Sequence, residues 1–293
     1  MQIDWWRGVG AGSLCAIIWG LQSVVTRQAI ADKLTAADVT IVRFLVSGLI
    51  LSPIALRLCP PLVGRLGWHR ALTLSLLAGA PYSLLLVGGL SLSPAVHQAV
   101  ITPGLIPIFA AVLSFLVSGE RLSATKWLGL ALVAMGIVAF FRDSLSVLPM
   151  RAGAWRGDIL FVLAAAMWAT FGLLSQRWNA DPIETTACTC VLSLGSIPLW
   201  VWVLPLQITQ AAVAAIALQA VYQGVLVGAL SLFLYVRAVE CLGSASAALF
   251  LPLMPLVAAI GAYVLLGEQP TSLEIAGMIA VVVGMTVALR APS

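Results

Sequence analysis

The stretch PIFAAVLSFLVSGE at residues 107–120 returns as PLVAAIGAYVLLGE at residues 255–268. Both copies open on a proline, stay largely apolar and close on Gly-Glu. The register continues beyond them: Gly129 and Gly136 follow the first copy as Gly277 and Gly284 follow the second, every equivalent pair standing 148 residues apart. A looser echo pairs Ala16-Ile17-Ile18-Trp19-Gly20 with Ala165-Ala166-Met167-Trp168-Ala169, so the duplication begins in the first apolar run of each half.

The composition fixes the solvent. With 293 residues, 61% of them hydrophobic and 9% charged, and a mean hydropathy of +1.08, the chain has too little polar surface to cover a soluble core. It reads as an integral membrane protein with the lipid bilayer as its surroundings. The net charge of +4 comes from Lys and Arg scattered singly through connectors, without the basic stripe that nucleic acid requires, so no nucleic-acid partner is expected. Of the five cysteines only Cys188 and Cys190 are close; two residues apart on a helix they point different ways. Free buried thiols are expected, and no metal site or cofactor. Met1 to Arg7 carries Asp4 and two tryptophans, and no small-residue cleavage site follows the first apolar run, which is read as an anchored helix and not a removable signal.

Spans of about 17 to 25 largely apolar residues fall near 8–28, 36–57, 69–90, 94–117, 124–141, 156–177, 182–204, 213–238, 244–265 and 271–289. The expected fold is all-α and polytopic, with ten transmembrane helices in two five-helix repeats, residues 1–145 and 146–293, joined by the connector at 142–158. With the N-terminus inside, nine Lys and Arg lie on the inner side and five on the outer, Arg27, Lys33, Arg142, Arg151 and Arg156. That bias predicts both termini in the cytoplasm. Five helices per copy force the second copy to enter from the opposite face, an inverted duplication of the kind that secondary transporters use.

The paired proline-bearing fourth and ninth helices ending in Ser118-Gly119-Glu120 and Leu266-Gly267-Glu268, with the glycine-spaced fifth and tenth helices, resemble the drug/metabolite transporter superfamily and its EamA-like ten-helix exporters. The likeness covers the whole chain. Within that group it is most similar to bacterial aromatic amino-acid exporters of the YddG type. The resemblance implies a non-enzymatic exporter in the bacterial inner membrane whose substrate is an aromatic or other bulky amino acid, working as a single chain.

Candidate substrate contacts follow from polar and aromatic positions inside spans. Trp19, Gln22, Ser23 and Thr26 share one face of the first helix, and Trp168, Phe171, Gly172 and Ser175 one face of the sixth. They either line a cavity or fill ordinary helix packing. Tyr82 in the third helix, and Tyr222 beside Gln219 and Gln223 in the eighth, offer hydroxyls to a substrate or to another helix. His97 opens the fourth helix next to Gln98, as an entrance residue touching substrate or as a satisfied packing residue. Arg43 is the one permanent charge well inside a span; it is either a handle for a substrate carboxylate or a residue that snorkels or pairs with Asp38. Pro103, Pro107, Pro252 and Pro255 each delete a backbone donor and mark kinks, read as hinges of alternating gates or as static shaping. Thr271-Ser272-Leu273-Glu274 has the pattern of a capping box, and the Gly-Glu pairs read as turns and caps.

A membrane-embedded enzyme would need a reactive constellation; here the two histidines are far apart in sequence and the carboxylates sit at helix ends. No catalytic residue is expected. The leading reading is a secondary exporter of aromatic or bulky amino acids by alternating access. The alternative is an exporter of planar drugs or cations, with proton coupling. The first helix carries no Asp or Glu between Ala16 and Thr26, which favours gradient-following flux; His97 is the titratable group left for coupling.

Overall fold

The computed structural model describes residues 2–58, 66–119, 123–145 and 153–290, and among these only helices and turns occur. The membrane helices are α1 (Gln2–Ala31), α2 (Ala36–Leu58), α3 (Trp68–Leu90), α4 (Ala95–Ser118), α5 (Ala124–Ser144), α6 (Trp155–Arg177), α7 (Pro182–Gly195 with Ile197–Val203), α8 (Val213–Leu242), α9 (Ser246–Leu266) and α10 (Ser272–Arg290). Nine are long and apolar enough to cross a bilayer as they stand; the tenth, α7, is a pair bent by 43°. The expected all-α, ten-span architecture is what the chain adopts, with boundaries shifted by only a few residues.

Local chemistry sets the helix ends. Gly119 and Gly267 close α4 and α9 in the left-handed region, at φ 66° and 67°. A side chain is strained there, so the duplicated glycine has a backbone cause. Glu120 lies outside the described residues. Asp181 caps α7 by accepting from the amides of Ile183 and Glu184, and Pro182 supplies the fixed φ of a first helical residue. In α10, Thr271 Oγ1 accepts from Glu274 N at 3.2 Å while Thr271 N donates to Glu274 Oε2 at 2.7 Å, the expected capping box.

Lipid offers no hydrophobic drive between helices, so close backbone approach has to hold them together. The most extensive crossing is α5 with α10. A β-carbon on Gly129 would stand 2.7 Å from Gly284 O, and one on Gly284 2.6 Å from Gly129 O; Gly136 and Gly277 meet the same way at 2.5 and 2.8 Å. Residue 129 thus meets 284 and residue 136 meets 277, so the two helices run antiparallel. Around them α1 packs on α8 and α9, α6 packs on α3 and α4, and α2 packs on α7. Gly8 and Gly12 of α1 let Cys241, Leu242 and Phe250 approach, which is helix packing.

Large apolar side chains such as Leu56, Leu116, Met135, Val138, Ile260 and Val264 are exposed around the bundle, a surface suited to lipid and not to water. Trp5, Trp6, Trp68 and Trp127 are exposed at one end of the helices and Trp155 and Trp202 at the other, where interfacial belts form. Cys15, Cys188 and Cys190 are buried free thiols.

Two features exceed a hydropathy reading. Helix α3 breaks at Gly79, where Ser193 Oγ of α7 accepts from Ala80 N at 3.2 Å. Helix α8 carries wide π turns over Ala220–Leu230, and α9 ends in another over Ala262–Leu266. Helix α4 passes through Pro103 and Pro107 unbroken, whereas α9 has turns before Pro252 and resumes helix at Leu253.

Candidate functional site

A cavity of about 560 Å³ lies at the centre of the bundle, and every one of the ten helices contributes to its wall. Its lining reaches Lys126, Ala180, Pro182 and Leu289 at one end of the helices, the end that holds the start of α1. In the other direction it stops at the level of Gln22 and Gln98.

Aromatic rings line the mid-depth of this space. Tyr82 and Trp168 stack with centroids 5.1 Å apart, Trp168 and Phe171 at 5.3 Å, and Trp19 and Tyr235 across the cavity wall at 5.5 Å. All three arrangements are tilted, within the range in which aromatic pairs attract. Arg43 projects from α2 into the same wall with its guanidinium 5.5 Å from the centre of the Phe44 ring. Its Nε is buried and unpartnered, and no carboxylate appears among the described lining residues. Pairing with Asp38 does not occur: that carboxylate accepts from Thr35 N and Oγ1 at 2.9 Å and from Gln207 N at 3.0 Å. Four further buried hydroxyls on lining residues, those of Thr102, Ser175, Thr185 and Thr189, also lack a hydrogen-bond partner. Buried polar atoms are nearly always satisfied; here an unpartnered guanidinium Nε and four unpartnered hydroxyls belong to residues that surround one space.

Trp19, Gln22, Arg43, Tyr82, Trp168 and Phe171 therefore stand together on the cavity wall, as do Pro103 and Pro107. Tyr222 does not. It shares a face with Gln219 and Gln223 as expected, but that face is turned onto α1: Tyr222 OH donates to Ile18 O at 2.8 Å, Gln219 Nε2 to Val25 O at 3.0 Å and Gln223 Nε2 to Thr26 Oγ1 at 2.6 Å. Ser23 and Thr26 of the first-helix stripe are likewise buried against neighbours. Thr185 and Thr189 were not singled out from sequence, although their spacing of four in an apolar helix puts them on one face. Pro252 and Pro255 are buried, off the wall.

His97 lies at the far end, fully buried and absent from the cavity wall. Its Nδ1 is 3.0 Å from Asp158 Oδ1 on α6, and its Nε2 is 2.7 Å from Glu274 Oε1 on α10. Asp158 also accepts from Ser93 Oγ at 2.7 Å and from Ser144 Oγ. Asp143 of α5 accepts from Thr271 Oγ1 at 2.8 Å. Beside this cluster Glu268, at the end of α9, accepts from Ala95 N at 3.0 Å and pairs with Arg27 of α1 at 3.5 Å. The carboxylates sit at helix ends as expected; that three of them converge around one imidazole was not foreseen. His97 Nε2 and oxygens of Asp143 and Glu274 come within 4.8 Å of one another. Two donors on one zinc ion would stand about 3.3 Å apart, so the 2.7 Å contact is the spacing of a shared proton and not of shared coordination.

Comparison with known proteins agrees with this geometry. The EamA-like transporter family matches the chain twice, over residues 6–142 and 155–290. Two relatives from Bacillus subtilis (strain 168) are an "Uncharacterized transporter YdfC", 29% identical over 72% of this chain and 68% of its own length, and an "Uncharacterized transporter YyaM", 23% identical over 71% and 68%. A crystal structure superposes with a TM-score of 0.64 at 16% identity over 96% of both chains, a likeness of fold. Apolar helices that span a bilayer around a walled central cavity, together with the double family match, identify the chain as a multi-pass membrane transporter of the EamA-like transporter family.

Proposed function

We propose that this transporter exports aromatic or similarly bulky amino acids from the cytoplasm by alternating access, as a single chain in a bacterial inner membrane with both termini inside. One observation carries the substrate class: Arg43, half-buried and with its Nε unpartnered, shares a cavity with the Trp19, Tyr82, Trp168, Phe171 and Tyr235 rings and with no described carboxylate. A guanidinium pairs with a carboxylate through two parallel hydrogen bonds, while the rings suit a flat apolar side chain. The volume of about 560 Å³ falls within the usual range of small-molecule sites. Planar cations, the other class of solute considered, would meet Arg43 and Lys126 as the charged groups of the wall, so the same observation disfavours them.

The reciprocal crossing of α5 and α10, the matching partners of α1 and α6, and the two family matches support two inverted five-helix repeats. In this reading the half-bundles α1, α8, α9 and α3, α4, α6 rock about the scaffold of α5, α10, α2 and α7, with bending at Pro103 and Pro107 and at Pro252 and Pro255. The nine-to-five bias of Lys and Arg supports a cytoplasmic cavity-facing end and an external His97 end. The absence of a carboxylate from the described wall supports gradient-following flux.

Proteoliposomes loaded with unlabelled phenylalanine or tryptophan should accumulate the labelled amino acid transiently by counterflow, without a pH gradient or membrane potential. Trp19→Ala and Trp168→Ala should lower that flux several-fold, since each removes at least one ring contact of about 0.5–1.5 kcal/mol, while leaving the folded yield unchanged. Parent-level flux in both folded variants would place the substrate elsewhere.

A further inference from the structure

We propose that His97, Asp158 and Glu274 form a proton-binding site that holds the far end of the transporter closed, so that loss of one proton releases it. The argument starts from counting hydrogens. A neutral imidazole has one N–H, which can satisfy one carboxylate; its other nitrogen is a bare lone pair. Both ring nitrogens of His97 nevertheless lie at hydrogen-bond distance from carboxylate oxygens, 3.0 Å to Asp158 and 2.7 Å to Glu274. Without an added proton, one of these contacts sets lone pair against lone pair in a dry site, because all three side chains are almost wholly buried; Ser144 Oγ, 3.2 Å from Nδ1, has one hydrogen and can serve that nitrogen only by giving up its bond to Asp158 Oδ2. The closed arrangement therefore contains one proton beyond those of a neutral histidine and two carboxylates.

Where the proton sits gives it leverage. His97 occupies the first turn of α4, the turn whose Ala95 amide is held by Glu268 from α9, with Arg27 of α1 on the same carboxylate. That turn is thus tied to α6 and α10 through the proton and to α1 and α9 through Glu268, which joins the two half-bundles. Gln98, Ala99 and Thr102, following directly, line the cavity. Among the described residues, the other charged groups around the imidazole are Asp143 on α5 and the Arg27–Glu268 pair of α1 and α9; Arg142 and Arg156 are exposed. No described basic side chain bonds to Asp158 in place of His97. Removing the proton sets a bare ring nitrogen against a carboxylate oxygen in this buried cluster, with the Asp143 carboxylate close by.

The two ends of the molecule also differ chemically in a way the duplication makes visible. At the offset of 148 residues, His97 corresponds to Ala245 and Glu274 to Lys126; Asp158 corresponds to Gly10, or to Val9 at the offset of the tryptophan pair. The cavity-facing end therefore lacks this site, and one gate of the two answers to protons.

The test reads conformation and needs no solute. Spin labels at Ala31→Cys on α1 and Arg156→Cys on α6 straddle the far end, on a background with Cys59 and Cys241 replaced by Ser. From about pH 5.5 to about pH 9, the ratio of short to long distances in the parent should fall by up to about tenfold per pH unit, the limit for one linked proton. His97→Gln should flatten that dependence. So should Glu274→Gln, which keeps the capping box intact, since Gln serves there as Glu does. A parent distance distribution that ignores pH, an unchanged slope in either folded variant, or a slope that disappears with EDTA would overturn the proposal, the last in favour of a metal ion. The inference rests on the alternating-access reading. Failed counterflow with pH-dependent distances removes the substrate and keeps this site, whereas pH-independent distances with working counterflow remove this site alone.

Discussion

Replacing Arg43 by Gln should abolish discrimination between an amino acid and its amide. The Nε of Arg43 is buried without a partner, its guanidinium lies 5.5 Å from the Phe44 ring centre, and no carboxylate is available to it on the described cavity wall. A substrate carboxylate arriving there gains a charge-assisted hydrogen-bonded pair, about 1.5–3 kcal/mol for bonds to charged groups, which is about 10- to 150-fold in affinity. Phenylalanine should accordingly bind the parent more tightly than phenylalaninamide by that factor, because the amide presents no negative charge to Arg43. In Arg43→Gln the two ligands should bind within about threefold of each other, and the acid should account for nearly all of the loss. Arg43→Lys keeps the charge and loses the planar fork, so it should recover only part of the preference. Competition against labelled phenylalanine, with purified protein in detergent and then by counterflow, measures all of these quantities. Equal weakening of acid and amide in a folded Arg43→Gln protein would show that Arg43 shapes the wall and does not hold the carboxylate.

The helix crossing makes a stability prediction with an internal control. A β-carbon on Gly136 would lie 2.5 Å from Gly277 O and 2.7 Å from Val281 Cγ2, so Gly136→Ala should force α5 and α10 apart and cost about 1–3 kcal/mol. Gly10→Ala meets nothing within 4 Å and should stay within about 0.5 kcal/mol of the parent; equilibrium unfolding in mixed detergent micelles compares them, and equal midpoints would refute the crossing. Pro107→Ala and Pro255→Ala restore a backbone donor in α4 and α9. Both should bind substrate like the parent and exchange more slowly between cavity-facing states, and unaltered exchange rates by spin-label or single-molecule distances would assign the prolines to static shaping.

What could be read in the sequence was local or periodic. The ten spans follow from apolar length, the capping box from Thr271 and Glu274, and the duplicated glycines from the left-handed turns at 119 and 267. The rings of Trp19 and Trp168 could be placed on matching faces because the repeat aligns them. Periodicity also put Gln219, Tyr222 and Gln223 on one face, but a face does not name its neighbour, and theirs is the α1 backbone and Thr26. The His97 cluster was hidden for a related reason. Its members are 61 and 177 residues from the imidazole, and Glu274 already had a sufficient local explanation as a helix cap, which uses only one of its two oxygens. The other oxygen, on His97, is a tertiary fact. Yet the repeat did mark the place: His97 against Ala245 and Glu274 against Lys126 are positions where two otherwise parallel copies part in charge. In a duplicated transporter the shared positions carry the symmetric architecture, and a site that acts at one face alone has to be written in the positions that differ. The chemistry that makes one gate unlike the other is therefore sought first among those differences, and here they converge on a single buried histidine.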